Sequence, residues 1–248
     1  MSAVCTVRHL DPQEGELIVA IVGALYDRSA DLLRGVYDRR LHAPPVLEMA
    51  DGFPSAQRFI GQWQGLRDEA LKLAANVADV PRFHELLPTQ AAISANDARD
   101  WRMFVLKAYG VPVARNMVRC PLLASLVQSS PEVLTATLSL LAPGKHIPEH
   151  RGPFRGVARF YLGLSVPQAD DGRPAVSLIV DGVEHRIGDG EALLWDDTYP
   201  HEVFNRSDQW RIALLMDIRR RDLPLDLRLL SRLLVWAVGV GIRLRPDL

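Results

Sequence analysis

Two histidine–arginine pairs are the residues of this sequence best suited to chemistry. His150 lies in the turn-rich stretch APGKHIPEHRGP, and Arg159 follows it in the apolar run RFYLGL. His201 opens HEVFN, and Arg211 follows it in WRIALLMDI. Imidazole suits ferrous iron, and oxygen activation needs protein ligands on one side of the ion with other positions open. An arginine inside an otherwise apolar strand needs an anionic partner, and its planar fork matches a carboxylate. Ser139, on the run before His150, offers a hydroxyl to the same carboxylate. Together these residues suggest an iron centre beside a carboxylate cosubstrate. The competing reading is structural: histidines serving as surface or core residues, and arginines paired internally with Asp196 or Asp217. Asp196 and Asp197 are candidates to orient a histidine or to cap the turn before Pro200. Glu149 and Glu202 point away from their neighbouring histidines if both segments are extended.

For His150 and His201 to share one ion, the strands carrying them must bring their ends together, as the open mouth of a jelly roll does. The pattern supports such strands. From Val133 onward, short β-prone runs are separated by Gly, Pro and Asp turns. They cover Val133–Leu141, Val157–Val166, Ala175–Val180, Val183–Ile187, Glu191–Trp195, His201–Asn205 and Arg211–Ile218. Asp181-Gly182 is a hairpin signal, and His150 is expected in a turn between two strands. Upstream, three-to-four spacing of apolar residues predicts helix over Asp11–Arg40 and again over Ser55–Val80, which Pro81 ends. Between them, HAPPVLEMADGFP reads as a linker. A polar, turn-rich stretch runs to Asp100, Trp101–Tyr109 reads as a strand, and Asn116–Ser129 as a short helical region. Helix returns after Pro224. The expected fold is α+β with a mainly β core: a double-stranded β-helix (jelly roll, cupin-like) with an N-terminal helical region and a C-terminal helix. The expected divisions are 1–54 as helical extension and linker, 55–224 as the catalytic domain with its core at about 133–220, and 225–248 as the terminal helix.

Composition limits the function classes. The 248 residues carry 48% apolar and 24% charged side chains, enough for a sizeable core. A formal net charge of −1 gives no global field toward nucleic acid, so anion recognition must be local. Cys5 and Cys120 lack metal-ligand or disulfide-framework spacing. Acidic Asp11, Glu14 and Glu16 stand where a signal peptide is basic, and the apolar runs Leu17–Leu25 and Leu233–Ile242 are too short to span a bilayer. The expectation is a soluble cytoplasmic protein. The last segment, RLLSRLLVWAVGVGIRLR, reads as a helix packed on the core, with membrane-surface contact as the secondary reading.

The wording of the blocks resembles the aspartyl/asparaginyl β-hydroxylase family of iron(II)- and 2-oxoglutarate-dependent dioxygenases, which includes the bacterial lipid A hydroxylases. The resemblance covers roughly residues 100 to 230. It rests on Ser139, the PGxHIxxHxG pattern of PGKHIPEHRG, RFYLGLSVP, Asp189-Gly190-Glu191, DDTYPHEVFNRSDQWRIAL and Asp217-Ile218. It implies that His150 and His201 bind iron(II), that Arg211 pairs with the far carboxylate of 2-oxoglutarate, and that Ser139 and Arg159 bind the cosubstrate beside the metal, with O2 as the co-reactant. His146 matches a histidine near the site, and Lys107 falls where a basic residue often faces the pocket. Two departures stand out. Gly152 occupies the position where most such enzymes have a carboxylate ligand, which implies iron held by two histidines and 2-oxoglutarate, as in the animal β-hydroxylase branch. Tyr161 stands where the family commonly has histidine; its phenol can still donate to a carboxylate oxygen. The implied reaction is hydroxylation of an unactivated C–H, first the β-carbon of Asp or Asn in a peptide, a carrier-bound residue or a free amino acid. The alternative substrate is a lipid A-type acyl chain. A glycine that frees a site for chloride would permit halogenation, but the β-hydroxylase branch shares that glycine. A non-catalytic jelly-roll binding protein is the alternative of another class.

Overall fold

The computed structural model describes residues 28–244. The start of the helix expected from Asp11 and the end of the C-terminal segment lie outside them. The chain is helical from 28 to 38 (α1). Two longer helices follow, α2 (Trp63–Ala74) and α3 (Pro121–Gln128), with short helical turns between them, and α4 (Leu225–Arg243) closes the described chain. Ten strands lie between: β1 (Trp101–Ala108), β2 (Val111–Pro112), β3 (Val133–Leu141), β4 (His146–His150), β5 (Val157–Ser165), β6 (Val176–Val180), β7 (Val183–His185), β8 (Ala192–Trp195), β9 (His201–Asn205) and β10 (Arg211–Arg219).

The strands form two antiparallel sheets: a six-stranded one in the order β2-β1-β3-β10-β5-β8 and a four-stranded one in the order β4-β9-β6-β7. Successive side chains on a strand point to opposite faces, and the large sheet uses its two faces differently. Leu138, Leu140, Phe160, Leu162, Ile212, Leu214 and Met216 face outward and pack under the helical layer, against Phe53, Phe59, Leu66, Leu73, Leu123 and Val127. The alternate residues Ser139, Arg159, Tyr161 and Arg211 line the space between the sheets. One face therefore supplies the core and the other the site.

The jelly-roll expectation holds, and several local expectations are corrected. The stretch around His150 is a strand, not a turn. It tolerates Pro148 because β4 is the edge of its sheet. The single helix expected over Ser55–Val80 breaks into a short helix (Ala56–Ile60), α2 and a 3-10 turn (Val77–Asp79), with the first break at Gly61. The turn-rich stretch before Asp100 contains short helices at Phe83–Leu86 and Ala91–Ser94. The β6–β7 hairpin does turn at Asp181-Gly182, both with positive φ.

Two buried ionic groups fix the segments that approach the site. Lys145 is fully buried, and its Nζ donates to Ser94 O (2.9 Å), Asn96 Oδ1 (2.7 Å) and Asp97 Oδ1 (2.6 Å), which pins the loop at 94–97 beside the start of β4. Asp196, also fully buried, accepts from Arg155 Nε (2.7 Å), Arg220 Nη1 (2.6 Å), and the amide (3.1 Å) and hydroxyl (2.6 Å) of Thr198. Arg155 reaches on to Asp38 at the end of α1. Tyr37 donates to or accepts from Ser231 at 2.8 Å, joining α1 to α4 over an apolar cluster with Phe154 and Leu227.

Candidate active site

His150 and His201 are opposite one another in the β4–β9 register. Their rings are 4.1 Å apart at the centroids and inclined by 52°. Each ring is oriented by its own strand: His150 Nδ1 is 2.9 Å from Pro148 O, and His201 Nδ1 is 3.0 Å from Tyr199 O. A carbonyl only accepts, so both Nδ1 atoms carry the proton and both Nε2 atoms keep a lone pair. Burial lowers the pKa of His150 to about 4, with Arg159 adding to it. Burial and the neighbouring His150 lower His201 to about 3. Two neutral imidazoles with their Nδ1 protons tied to backbone carbonyls are a fit for a divalent metal. Among the described residues no group of three His, Cys, Asp or Glu side chains is placed to hold an ion.

The space beside Gly152 is filled from elsewhere. Gly152 donates its amide to Asp197 O at 2.6 Å. A Cβ on Gly152 would lie 2.3 Å from the Asp197 carboxyl carbon. The Asp197 carboxylate thus occupies the space a side chain at 152 would need. Burial pushes its pKa up to about 6 against the pull of Arg159, and its Oδ1 has no hydrogen-bond partner.

Arg211 is the other unusual group. It is 2% exposed, and its Nη1 donates to Ser139 O and Oγ at 3.3 Å, while Nε has no partner. Its guanidinium lies 5.7 Å from the centre of the Tyr161 ring. Among the described residues no carboxylate pairs with it, and burial lowers its basicity. Ser139 Oγ accepts from Trp101 Nε1 at 3.0 Å, which leaves its hydroxyl proton free to point into the cavity.

His150, His201, Arg211, Ser139, Arg159 and Tyr161 all line one cavity between the sheets. Arg159 does so with its charge already engaged: Nη2 lies 2.8 Å from Asp217 Oδ1 and 3.2 Å from Asp197 Oδ2, and Nε is 3.0 Å from Asp217 Oδ1. His146 and Lys107 are elsewhere. His146 pairs with Glu202 at 3.0 Å and stacks on Phe204; Lys107 is near Arg219 and Glu132. Asp196 caps the turn to Tyr199 and pairs with arginines. Neither its carboxylate nor that of Asp197 bonds a histidine. Sequence reasoning passed over Trp101, His185 and Trp195, which also line the cavity; His185 Nε2 and Trp195 Nε1 are buried without partners. Strand alternation across the Asp181-Gly182 hairpin could have pointed to His185. The remaining walls are apolar: Ile147, Val176, Leu178, Ile187, Val203 and Leu215.

Several known proteins resemble this chain. The chain is 34% identical over 199 residues to an ornithine lipid ester-linked acyl 2-hydroxylase of Rhizobium tropici, covering 80% of this chain and 67% of that protein. It is 30% identical over 141 residues to human aspartate beta-hydroxylase domain-containing protein 2, covering 53% of this chain and 37% of that protein. Human aspartyl/asparaginyl beta-hydroxylase matches at 25% over 178 residues, only 22% of its length. Among solved structures, a Pseudomonas putida prolyl-4-hydroxylase covers 65% of this chain and 88% of that chain at 16% identity and a TM-score of 0.43. No helix of the described residues is long and apolar enough to cross a membrane. The sequence profile for aspartyl/asparaginyl beta-hydroxylase matches residues 61–221, more than half of the chain and the whole of the cavity, and the chain belongs to that family of hydroxylases.

Proposed function

We propose that the chain is an iron(II)- and 2-oxoglutarate-dependent dioxygenase that hydroxylates an unactivated C–H bond. Arg211 carries the reading. A buried guanidinium with no carboxylate partner costs free energy unless an anion arrives, and this one shares a cavity with two neutral, pre-oriented imidazoles. A dianionic cosubstrate with a metal-chelating end and a far carboxylate meets both needs. When bound, iron with 2-oxoglutarate and O2 supplies the oxidant that turns C–H into C–OH as the cosubstrate becomes succinate and CO2.

The chain's own residues position and shield. His150 and His201 offer Nε2 to the metal and stay unprotonated at neutral pH. Arg211 forks onto the far carboxylate, with the Ser139 hydroxyl beside it, held by Trp101. Tyr161 offers a phenolic proton to a carboxylate oxygen. Arg159 holds Asp197 and Asp217 in place and would add its positive charge to the same cavity. The aliphatic walls exclude water.

For the substrate we favour an acyl chain, supported by the apolar walls and by the 34% identical relative that hydroxylates one. The β-carbon of Asp or Asn is the second reading. Gly152 and the family's name support it. A cytoplasmic setting fits the buried free thiol of Cys120. The test is succinate formation from 2-oxoglutarate with iron(II) and ascorbate, with acyl lipids and Asp/Asn peptides offered in parallel. Hydroxylated lipid is the expected product. Hydroxylation of peptides alone reverses the substrate order, and absence of both iron binding and turnover refutes the proposal.

A further inference from the structure

The side of α4 away from the core bears large apolar side chains. Leu225, Leu229, Leu233 and Trp236 are 70, 55, 57 and 63% exposed. Their spacing of four, four and three residues puts them on one side of the helix. They cannot rotate inward, because the opposite side is committed. Leu227 and Ser231 are buried on that opposite side and Ser231 bonds Tyr37, while Gly239, next to the stripe, pins the end of the helix where a Cβ would lie 2.9 Å from Tyr109 O. Nothing among the described residues covers this stripe.

Arginines run along one border of the stripe. Arg228, Arg232 and Arg243 of α4, with Arg219 and Arg220 from the end of β10, line a groove of about 340 Å³ between α4 and the β1–β2 turn. Arg220 is committed to Asp196 and Asp222. Among the described residues no carboxylate pairs with Arg219, Arg228, Arg232 or Arg243. Arg228 donates only to the carbonyls of Arg221 and Leu223. The acid of α4, Asp226, is neutralised by Arg40. A chain with a net charge of −1 thus concentrates unpaired positive charge beside its exposed leucines.

We propose that α4 is an interfacial helix that seats the chain on an anionic lipid membrane: its apolar stripe enters the acyl boundary, and its arginine row and the adjoining groove take headgroup phosphates. Charge complementarity selects this occupant. An apolar strip with a tryptophan, edged by guanidinium groups, matches the layering of a lipid surface. A second copy across a twofold axis would set one arginine-edged face against another. The helix lies on the membrane and does not cross it. The inference goes beyond the proposed reaction and does not depend on it, since neither metal nor cosubstrate takes part.

The test is flotation of the full chain, without added iron or 2-oxoglutarate, with vesicles of phosphatidylcholine alone or phosphatidylcholine with phosphatidylglycerol. Binding is expected only with the anionic vesicles, weakening with salt, with a blue shift in tryptophan emission that Trp236→Phe removes. The double variant Arg232→Glu/Arg243→Glu should bind at least about tenfold more weakly, and Leu229→Ser/Leu233→Ser similarly. Both should keep the wild-type melting curve, because all four side chains are exposed. No flotation with anionic vesicles, equal flotation with neutral ones, or variants that bind like wild type overturns the proposal. So does a dimer that Leu229→Ser/Leu233→Ser dissolves in the absence of vesicle binding, which would assign the stripe to a second copy.

Discussion

Asp196 and Asp197 are neighbours in sequence, yet they belong to regions of opposite character. Asp196 ends in a cluster where donors and acceptors are matched: Arg155, Arg220 and Thr198 complete its carboxylate, and Asp38 and Asp222 take the arginines' remaining charge. Burial alone would raise its pKa, but Arg220 and Arg155 hold it below the usual range. Across the sheet, the cavity around Arg211 is left incomplete. Arg211 Nε, His185 Nε2 and Trp195 Nε1 on its walls, and Asp197 Oδ1 behind Arg159, are buried without partners. Satisfied buried ions join parts of a fold; unsatisfied ones wait for something from outside. The contrast separates the paired arginines, Arg155 and Arg220 in the segments after β4 and β10, from the buried Arg211 at the start of β10, which we propose serves a ligand.

The largest expected effect tests the satisfied side. Arg220→Ala leaves Asp196 buried with one cation fewer, and urea denaturation should show a loss of about 3–5 kcal/mol. On the unsatisfied side the sign of the stability change should differ. Arg211→Ala removes a buried charge that has no carboxylate partner, so stability should stay within about 1 kcal/mol of wild type or rise. The same variant should need about 10–100-fold more 2-oxoglutarate for half-maximal succinate formation, on the order of 2 kcal/mol of lost binding. A large loss of stability in Arg211→Ala would erase the distinction.

Acid titration of the metal-free chain sharpens it further. The folded pKa values of His150 and His201, about 4 and about 3, lie below the ordinary value of 6.5. Their neutral forms therefore favour the folded state. That stability is fully present above pH 6.5 and is lost as pH falls toward 4 and then 3, by on the order of a few kcal/mol in total. Asp197 acts in the opposite sense, because its folded pKa of about 6 lies above its unfolded value and its cost is relieved as pH falls. Chemical denaturation across this range should show stability rising with pH, and His150→Gln/His201→Gln should flatten the slope. The smallest effect is Trp101→Phe, which deletes the 3.0 Å hydrogen bond to Ser139 Oγ. It should cost about 1 kcal/mol of cosubstrate binding, a change of about fivefold, measured as the shift in half-saturation.

The strands that build the site were legible in the sequence because their two faces alternate. Ser139 inside β3 and Arg211 at the start of β10 stand beside apolar Leu138, Leu140 and Ile212, and the structure puts the two polar residues on the cavity side. The hairpin at Asp181-Gly182 was legible for the same local reason. What depends on register or on distant packing was not. Asp217 stood as a candidate partner for the arginines, but that it is Arg159 which meets it follows from β5 and β10 pairing those residues directly, a register the sequence does not print. The strand at β4 was hidden by Pro148 and the glycines around it, which read as turn until the edge position is known. That Asp197 fills the space beside Gly152 follows from the β8–β9 turn folding onto the end of β4, a contact between residues 45 positions apart.

The central claim is that His150, His201 and Arg211 form one iron and 2-oxoglutarate site. Its most direct test is succinate formation from 2-oxoglutarate with iron(II) by the wild-type chain, alongside metal binding, repeated with His201→Ala. The account predicts iron-dependent succinate from the wild type and, from His201→Ala, a fully folded chain with metal affinity and turnover lowered by at least about 100-fold. Wild-type turnover retained in His201→Ala, or a wild type that binds iron(II) no better than the variant, would contradict it.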